Sequence, residues 1–189
     1  MGYAQWGATI FSLIYLYYAI KNNPICFVWG ILGSAIWAYV SFSEDLVFDG
    51  ALQLFYILMS VVGIFRWISG DASNRELPIS SFSWRQHLII ISIGVLLSYG
   101  LSMIAQRVDF ITFYQPILDA TTTIFLIIGT ILLVERKLHS WVYLVIADIG
   151  YIFLYSFADL WLFVAVMIVY IICGIVGFYS WRDMYDRVG

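Results

Sequence analysis

Charge is what this chain has least of. Asp, Glu, Lys and Arg make up 11% of its 189 residues, where a water-soluble domain carries about 25%. So thin a charged surface excludes a soluble globule. With a net charge of −3, no basic patch exists to hold a nucleic acid. Cysteine is scarce as well. Cys26 and Cys173 both fall inside apolar runs and read as reduced packing residues. No CxxC or Cys/His spacing offers a metal site, so neither metal nor cofactor is expected. The two histidines, His87 and His139, lie at the ends of apolar runs and read as interface markers. Catalytic signatures are missing too: there is no HExxH, no GxSxG, and no GxxxxGK[ST] to bind a nucleotide. No basic segment precedes the first apolar run and no small-residue cleavage site follows it. That run is therefore read as a retained helix rather than a signal peptide.

What the chain does have is hydrophobic length. It is 63% hydrophobic with a mean hydropathy of +0.93. The apolar residues come in stretches of roughly the ~20 residues that a bilayer-crossing helix needs. The pattern predicts an all-α integral membrane protein with seven transmembrane helices at 3–20, 25–43, 47–67, 87–105, 112–134, 139–157 and 160–181. Lys21-Asn22-Asn23-Pro24, Ser43-Glu44-Asp45, Arg107-Val108-Asp109, Glu135-Arg136-Lys137 and Ala158-Asp159 supply the breaks. The segment from Ser69 to Gln86, with Asp71, Arg75, Glu76 and Pro78, reads as the longest loop. With seven spans, Lys21, Arg66, Arg75, Arg85, Arg136, Lys137, Arg182 and Arg187 share one side and only Arg107 faces the other. The positive-inside rule makes that side cytoplasmic, with the N-terminus outside and the C-terminus inside.

An echo organises the spans. Ala51, Tyr56, Gly63 and Trp67 return 114 residues later as Ala165, Tyr170, Gly177 and Trp181, in the pattern A-x4-Y-x6-G-x3-W. Repeats inside a membrane protein commonly mark two bundles about a transport pathway. Three helices reverse the direction of the chain and one linking helix restores it. The expected layout is therefore a 3+1+3 parallel repeat like that of SWEET-type sugar transporters, a likeness of fold that carries no substrate. It divides the chain into a first three-helix bundle at 3–68, a cytoplasmic loop at 69–86, a linking helix at 87–106 and a second bundle at 110–182.

Polar groups inside the bilayer mark candidate sites, because a central Asp costs about 2.5–3.5 kcal/mol to insert. Asp148 lies near the middle of the sixth span, with no basic residue in the surrounding spans to neutralise it. Trp141 precedes it by seven residues on the same face. Asp119 shares a face with Thr122 and Thr123, and reads equally as a first-turn carboxylate favoured by the helix dipole. Gln53, Tyr56, Ser60, Gly63 and Trp67 are spaced 3, 4, 3 and 4 apart and so form one stripe. Its glycine reads as packing and its Gln, Tyr and Ser as ligand contacts. The matching stripe holds Tyr170, Gly174, Gly177 and Trp181. Trp29 fits either an aromatic belt or the site, while Trp67, Trp84 and Trp181 are expected in the belt. Aromatic faces, an amide, hydroxyls and two carboxylates with no cation suit an aromatic, hydroxylated, neutral or positively charged solute.

The residues resemble the PnuC family of bacterial vitamin transporters. The resemblance runs over about residues 5–182. It rests on Trp29-Gly30-Ile31-Leu32-Gly33, on Leu52 to Gly63, on Leu118-Asp119-Ala120, and on Trp141-x-x-Leu144-x-x-x-Asp148. The family pattern in the last stretch is W-x-x-W-x-x-x-N/D. Trp141 and Asp148 match it, whereas Leu144 stands at the second Trp, leaving an aromatic wall to be supplied by Tyr143 or Tyr151. The resemblance implies facilitated diffusion of nicotinamide riboside across the bacterial inner membrane, trapped by a cytosolic vitamin kinase. Thiamine and riboflavin are the alternative cargoes. The expected partners are the small vitamin, the lipid bilayer and that kinase, with no nucleic acid; a homo-oligomer is left open.

The expected site comprises Trp141, Asp148, Asp119, Gln53, Tyr56, Thr122, Trp29, Tyr151 and Tyr170, in a hollow between the two bundles, with no catalytic residue. Two rivals come from other classes. One is a membrane-embedded aspartyl enzyme using Asp119 and Asp148, although neither sits in a YD or GxGD setting. The other is a structural or assembly subunit.

Overall fold

The structure, a computed structural model, describes residues 3–43, 47–70, 77–107, 116–157 and 159–188. The expected breaks at Glu44-Asp45 and Val108-Asp109, the loop residues Asp71, Arg75 and Glu76, and Ala158 lie outside the described residues. Seven helices follow in order: α1 (Tyr3–Ile20), α2 (Cys26–Ser43), α3 (Val47–Ser69), α4 (Trp84–Ala105), α5 (Pro116–Val134), α6 (Ser140–Phe157) and α7 (Trp161–Val188). They track the apolar runs closely. Two differ: α4 starts at Trp84, three residues before the expected span, and α7 continues past Trp181 through Arg182, Asp183, Asp186 and Arg187.

Six of the helices, α2 to α7, are long and apolar enough to cross a membrane. The first is as long as α2, but Tyr3, Gln5, Trp6, Tyr15, Tyr17 and Tyr18 dilute its hydropathy. Local chemistry explains several ends. Ser83 caps α4 with its backbone N–H on Gln86 Oε1 at 2.8 Å, a capping box. Pro116 opens α5, where its missing N–H costs nothing.

The helices group into two compact units. The first comprises Met1–Pro78 together with Val134–Arg136. Glycines set its close contacts: Gly33 of α2 lies against Ala8, Phe11 and Ser12 of α1, and Gly63 of α3 lies under the ring of Phe27 of α2. Small residues let membrane helices approach where water gives no push. Beside Gly63, Phe27 and Trp67 meet edge to face at 4.8 Å, a favoured aromatic geometry. Trp67 Nε1 donates to the Val134 carbonyl at 2.9 Å, and Arg66 pairs with Glu135. Arg136, only 4% exposed, lies over the Trp67 ring at 4.5 Å and donates to the Leu77 carbonyl.

The second unit comprises Ile79–Leu133 and Lys137–Gly189. Here Gly94 of α4 meets Phe125 and Ile128 of α5. Gly129 of α5 meets Leu144 of α6, and Gly150 of α6 meets Thr122 of α5. Gly174 and Gly177 of α7 meet Val145 and Trp141 of α6. The segment before α4 runs beside the turn before α6, where Leu138 N donates to Ser80 O at 2.9 Å and Lys137 Nζ to Ser80 Oγ at 2.8 Å.

The echo in the sequence spans more structure than its four shared residues indicate. Shifted by 114, the bounds of α2 become those of α6, the start of α3 becomes that of α7, and the end of α1 becomes that of α5. The turn after α1 places Asn22 at φ 53, and its counterpart Arg136 has φ 49. Asn23 N bonds Tyr18 O at 3.0 Å, as Lys137 N bonds Leu132 O at 2.9 Å, the same left-handed helix ending twice. The Phe27–Trp67 pair returns as Trp141–Trp181, edge to face at 5.5 Å. This corrects the expected belt positions of Trp67 and Trp181. They are 2% and 0% exposed, because each ring is wedged against an aromatic of the preceding helix. Trp84 is largely exposed at the start of α4.

Candidate functional site

Asp148 is the ninth residue of the 18-residue α6, about 12 Å from its start at helical rise. It is 8% exposed. Among the described residues no hydrogen-bond donor or cation reaches its carboxylate. Buried carboxylates are ordinarily paired or hydrogen-bonded. An unanswered one has its full accepting capacity left for a donor or cation from outside the chain. Its repeat counterpart, one 114-residue step back, is Ser34. The negative group thus belongs to the second unit alone.

About two turns before Asp148 and half a turn after it, α6 is pinned on both sides. Trp141, 1% exposed, lies over Gly177, where a methyl group would sit 2.7 Å from the indole. Its Nε1 is buried with no hydrogen-bond partner. On the α5 side, the backbone of Gly150 receives the methyl of Thr122. The Thr122 hydroxyl donates within its own helix, to Leu118 O at 3.0 Å and Asp119 O at 2.9 Å. Thr122 therefore locks the helix crossing and has no proton left to offer a solute. One residue on, Thr123 Oγ1 and Tyr151 Oη lie 3.4 Å apart, placing two hydroxyls of α5 and α6 together. Tyr151 stacks on Tyr155 at 5.7 Å, and Tyr155 leans on Phe163 of α7 at 5.3 Å. Asp119 sits half-buried in the first turn of α5, where the helix dipole favours a carboxylate. Tyr170 is half-buried on α7.

Leu144, at the position of the second family Trp, packs onto Gly129, where an added methyl would lie 2.8 Å from its Cδ2. The first unit makes the same contact with partners exchanged: Gly30 of α2 faces Tyr15 of α1. Of the two tyrosines expected to replace the missing Trp, Tyr143 is already committed. Its hydroxyl bonds His87 Nδ1 at 2.9 Å and its ring stacks on Phe125. Tyr151 remains the half-buried aromatic one turn past Asp148.

The residues expected from α2 and α3 lie in the first unit. Gln53 and Tyr56 are half-buried on one face of α3, and Ser60 is buried against Gly30. Trp29 packs on Phe11 at 5.5 Å and lines an open groove with Ile10, Leu13, Ile14, Tyr17 and Tyr18 of α1. Sequence reasoning missed the contact between the two histidines. Their rings meet at 4.6 Å, and His139 Nδ1 lies 3.3 Å from Ser81 Oγ. No spacing rule links residues 87 and 139. The Phe27–Trp141 correspondence, by contrast, was readable by extending the 114-residue offset back into the second span. Among the described residues no group of three His, Cys, Asp or Glu could hold a metal ion.

A family model described as nicotinamide mononucleotide transporter matches residues 2–183. The fold is similar to a solved structure described as the crystal structure of the vitamin B3 transporter PnuC, with a TM-score of 0.77 and 20% sequence identity. The likeness covers 98% of this chain and 83% of that one. No curated protein matches the chain. Family and structural neighbour are both transporters, which sets aside the enzyme reading of the two aspartates.

Proposed function

We propose that this chain, which belongs to the nicotinamide mononucleotide transporter family, carries nicotinamide riboside into the cell by facilitated diffusion. The observation that carries the reading is Asp148, a carboxylate buried in the middle of α6 without a partner among the described residues. Nicotinamide riboside brings what the group lacks: a cationic aromatic ring and a ribose rich in hydroxyls. The phosphorylated form fits less well. A phosphate monoester would need a counter-cation, and the Lys and Arg residues stand near or beyond the ends of the apolar runs.

In this reading Asp148 accepts the charged end of the solute, Tyr151 and the Thr123 hydroxyl line it on the α5 side, and Trp141 holds the α6 backbone in place. Asp119 and Tyr170 of the same unit are the further contacts proposed. The paired units are the 3+1+3 repeat, supported by the 114-residue correspondence of helix bounds. The proposed division has bundles at 3–68 and 110–182, a cytoplasmic loop at 69–86 and a linking helix at 87–106. The protein sits in the inner membrane with its N-terminus outside and its C-terminus inside. Net uptake then requires a cytosolic kinase that removes the free vitamin, since no nucleotide-binding motif is present to drive it.

Liposomes holding the purified protein test this. Nicotinamide riboside should equilibrate across the membrane without ATP or an ion gradient, unchanged chemically. Asp148→Asn should lower its affinity at least about tenfold, the scale of losing a hydrogen bond to a charged group. The same substitution should leave thermal stability equal or raise it, because it removes an uncompensated buried charge. Faster flux of thiamine or riboflavin than of the riboside would reassign the cargo. Full affinity in Asp148→Asn would remove the site.

A further inference from the structure

The repeat exposes an unequal pair of surfaces. In the second unit the face of α5 and α6 that carries Phe125, Ile128 and Tyr143 is covered by α4. Gly94 seats on Phe125 and Ile128, and His87 takes the Tyr143 hydroxyl. One 114-residue step back, the same positions are Phe11, Ile14 and Trp29. In the first unit Phe11 packs on Trp29, and Ile14 and Trp29 line an open groove of about 520 Å³ between α1 and α2 together with Ile10, Leu13, Tyr17 and Tyr18.

The chemistry along that groove is graded. Its far end, at Ile10, Leu13 and Ile14, is wholly aliphatic. Tyr17 and Tyr18 follow in the last turn of α1, and Lys21 stands just past the helix end. From Ile10 to Lys21 the rise is about 16 Å, on the scale of one leaflet of hydrocarbon. The Lys21 ammonium lies 4.3 Å over the Tyr17 ring and bonds its hydroxyl. Among the described residues no carboxylate pairs with it. At the matching position of the repeat, 114 residues on, stands Glu135, so the cation is particular to the open groove.

We infer that the α1–α2 groove binds an anionic phospholipid, with one acyl chain along Ile10, Leu13 and Ile14 and the phosphate at Lys21. An aliphatic trough, aromatic rings at the boundary and a lysine beyond them follow the polarity of a lipid from tail to headgroup. A helix from a second copy would fill the trough but would leave the lysine without an anion, so charge complementarity favours the lipid.

Native mass spectrometry of the detergent-purified protein with phosphatidylglycerol or phosphatidylcholine of identical chains decides this. The wild type should retain phosphatidylglycerol roughly fivefold better, the effect of one lysine at a lipid surface. Lys21→Gln should abolish that preference and Lys21→Arg should keep it. Ile14→Trp, which fills the trough, should reduce retention of both lipids. Equal retention by the wild type, or a preference that survives Lys21→Gln, overturns the inference. So does an oligomer that excludes both lipids and dissociates on Ile14→Trp, which would assign the groove to a second copy.

Discussion

A methyl group can be added at two repeat-related positions with different consequences. Gly63 lies under Phe27, and Gly177 lies under Trp141. Alanine at either should cost about 1–3 kcal/mol, the usual penalty for overfilling a packed contact, read as a lower unfolding midpoint in detergent. Only Gly177→Ala displaces Trp141 and, through it, the backbone about two turns before Asp148. It should also weaken substrate affinity, whereas Gly63→Ala should leave affinity near the wild-type value. Equal loss of affinity in both would break the assignment of the site to the second unit. At this scale Asp148 was legible early, because one carboxylate in an apolar run is conspicuous wherever the helix points. Thr122 was not. Its sequence neighbours make it look like a ligand, and only the crossing at Gly150 shows that its methyl is the working group.

Among the elements, the turn before α6 brings His139 against His87 of α4. His139 faces His87 from α4, Ser81 from the preceding segment and Phe178 from α7. Tyr143 lies behind His87, and Lys137 reaches across to Ser80 and Phe82. Burial, and secondly the charge of His87, hold the His139 imidazole below its ordinary value. The folded state then prefers the neutral ring. Its stabilisation is complete above the unfolded value, about 6.5, and is lost as pH falls through the lower folded one. Unfolding midpoints measured from pH 8 downward should drop in acid, and His139→Gln should flatten that slope. An unchanged slope would locate the acid sensitivity elsewhere. The helices themselves were readable from hydropathy and length, but this cluster was not, since its members meet only when α4, α6 and α7 pack.

For the whole molecule, the proposed orientation rests on eight basic residues sharing one side. With Cys26 and Cys173 replaced by alanine, a single cysteine at Asp159 should react with an impermeant maleimide in intact cells. One at Asp186 should react only after the membrane is opened. The reverse pattern would invert the topology. Both positions are exposed, so labelling reports sidedness rather than burial.

The sequence by itself determined that this chain is a multi-pass membrane protein, where most of its helices begin and end, and that it carries an echo at an offset of 114 residues. Those are matters of local hydropathy, length and spacing, which need no knowledge of neighbours. Only the tertiary structure decided that Trp67 and Trp181 are wedges rather than belt residues, that Tyr143 is committed to His87, and that Asp148 has no partner among the described residues. Each depends on which side chains of distant helices come within a few ångströms. In lipid that is settled by the fit of glycine hollows to their ring and methyl knobs, which no single helix carries alone.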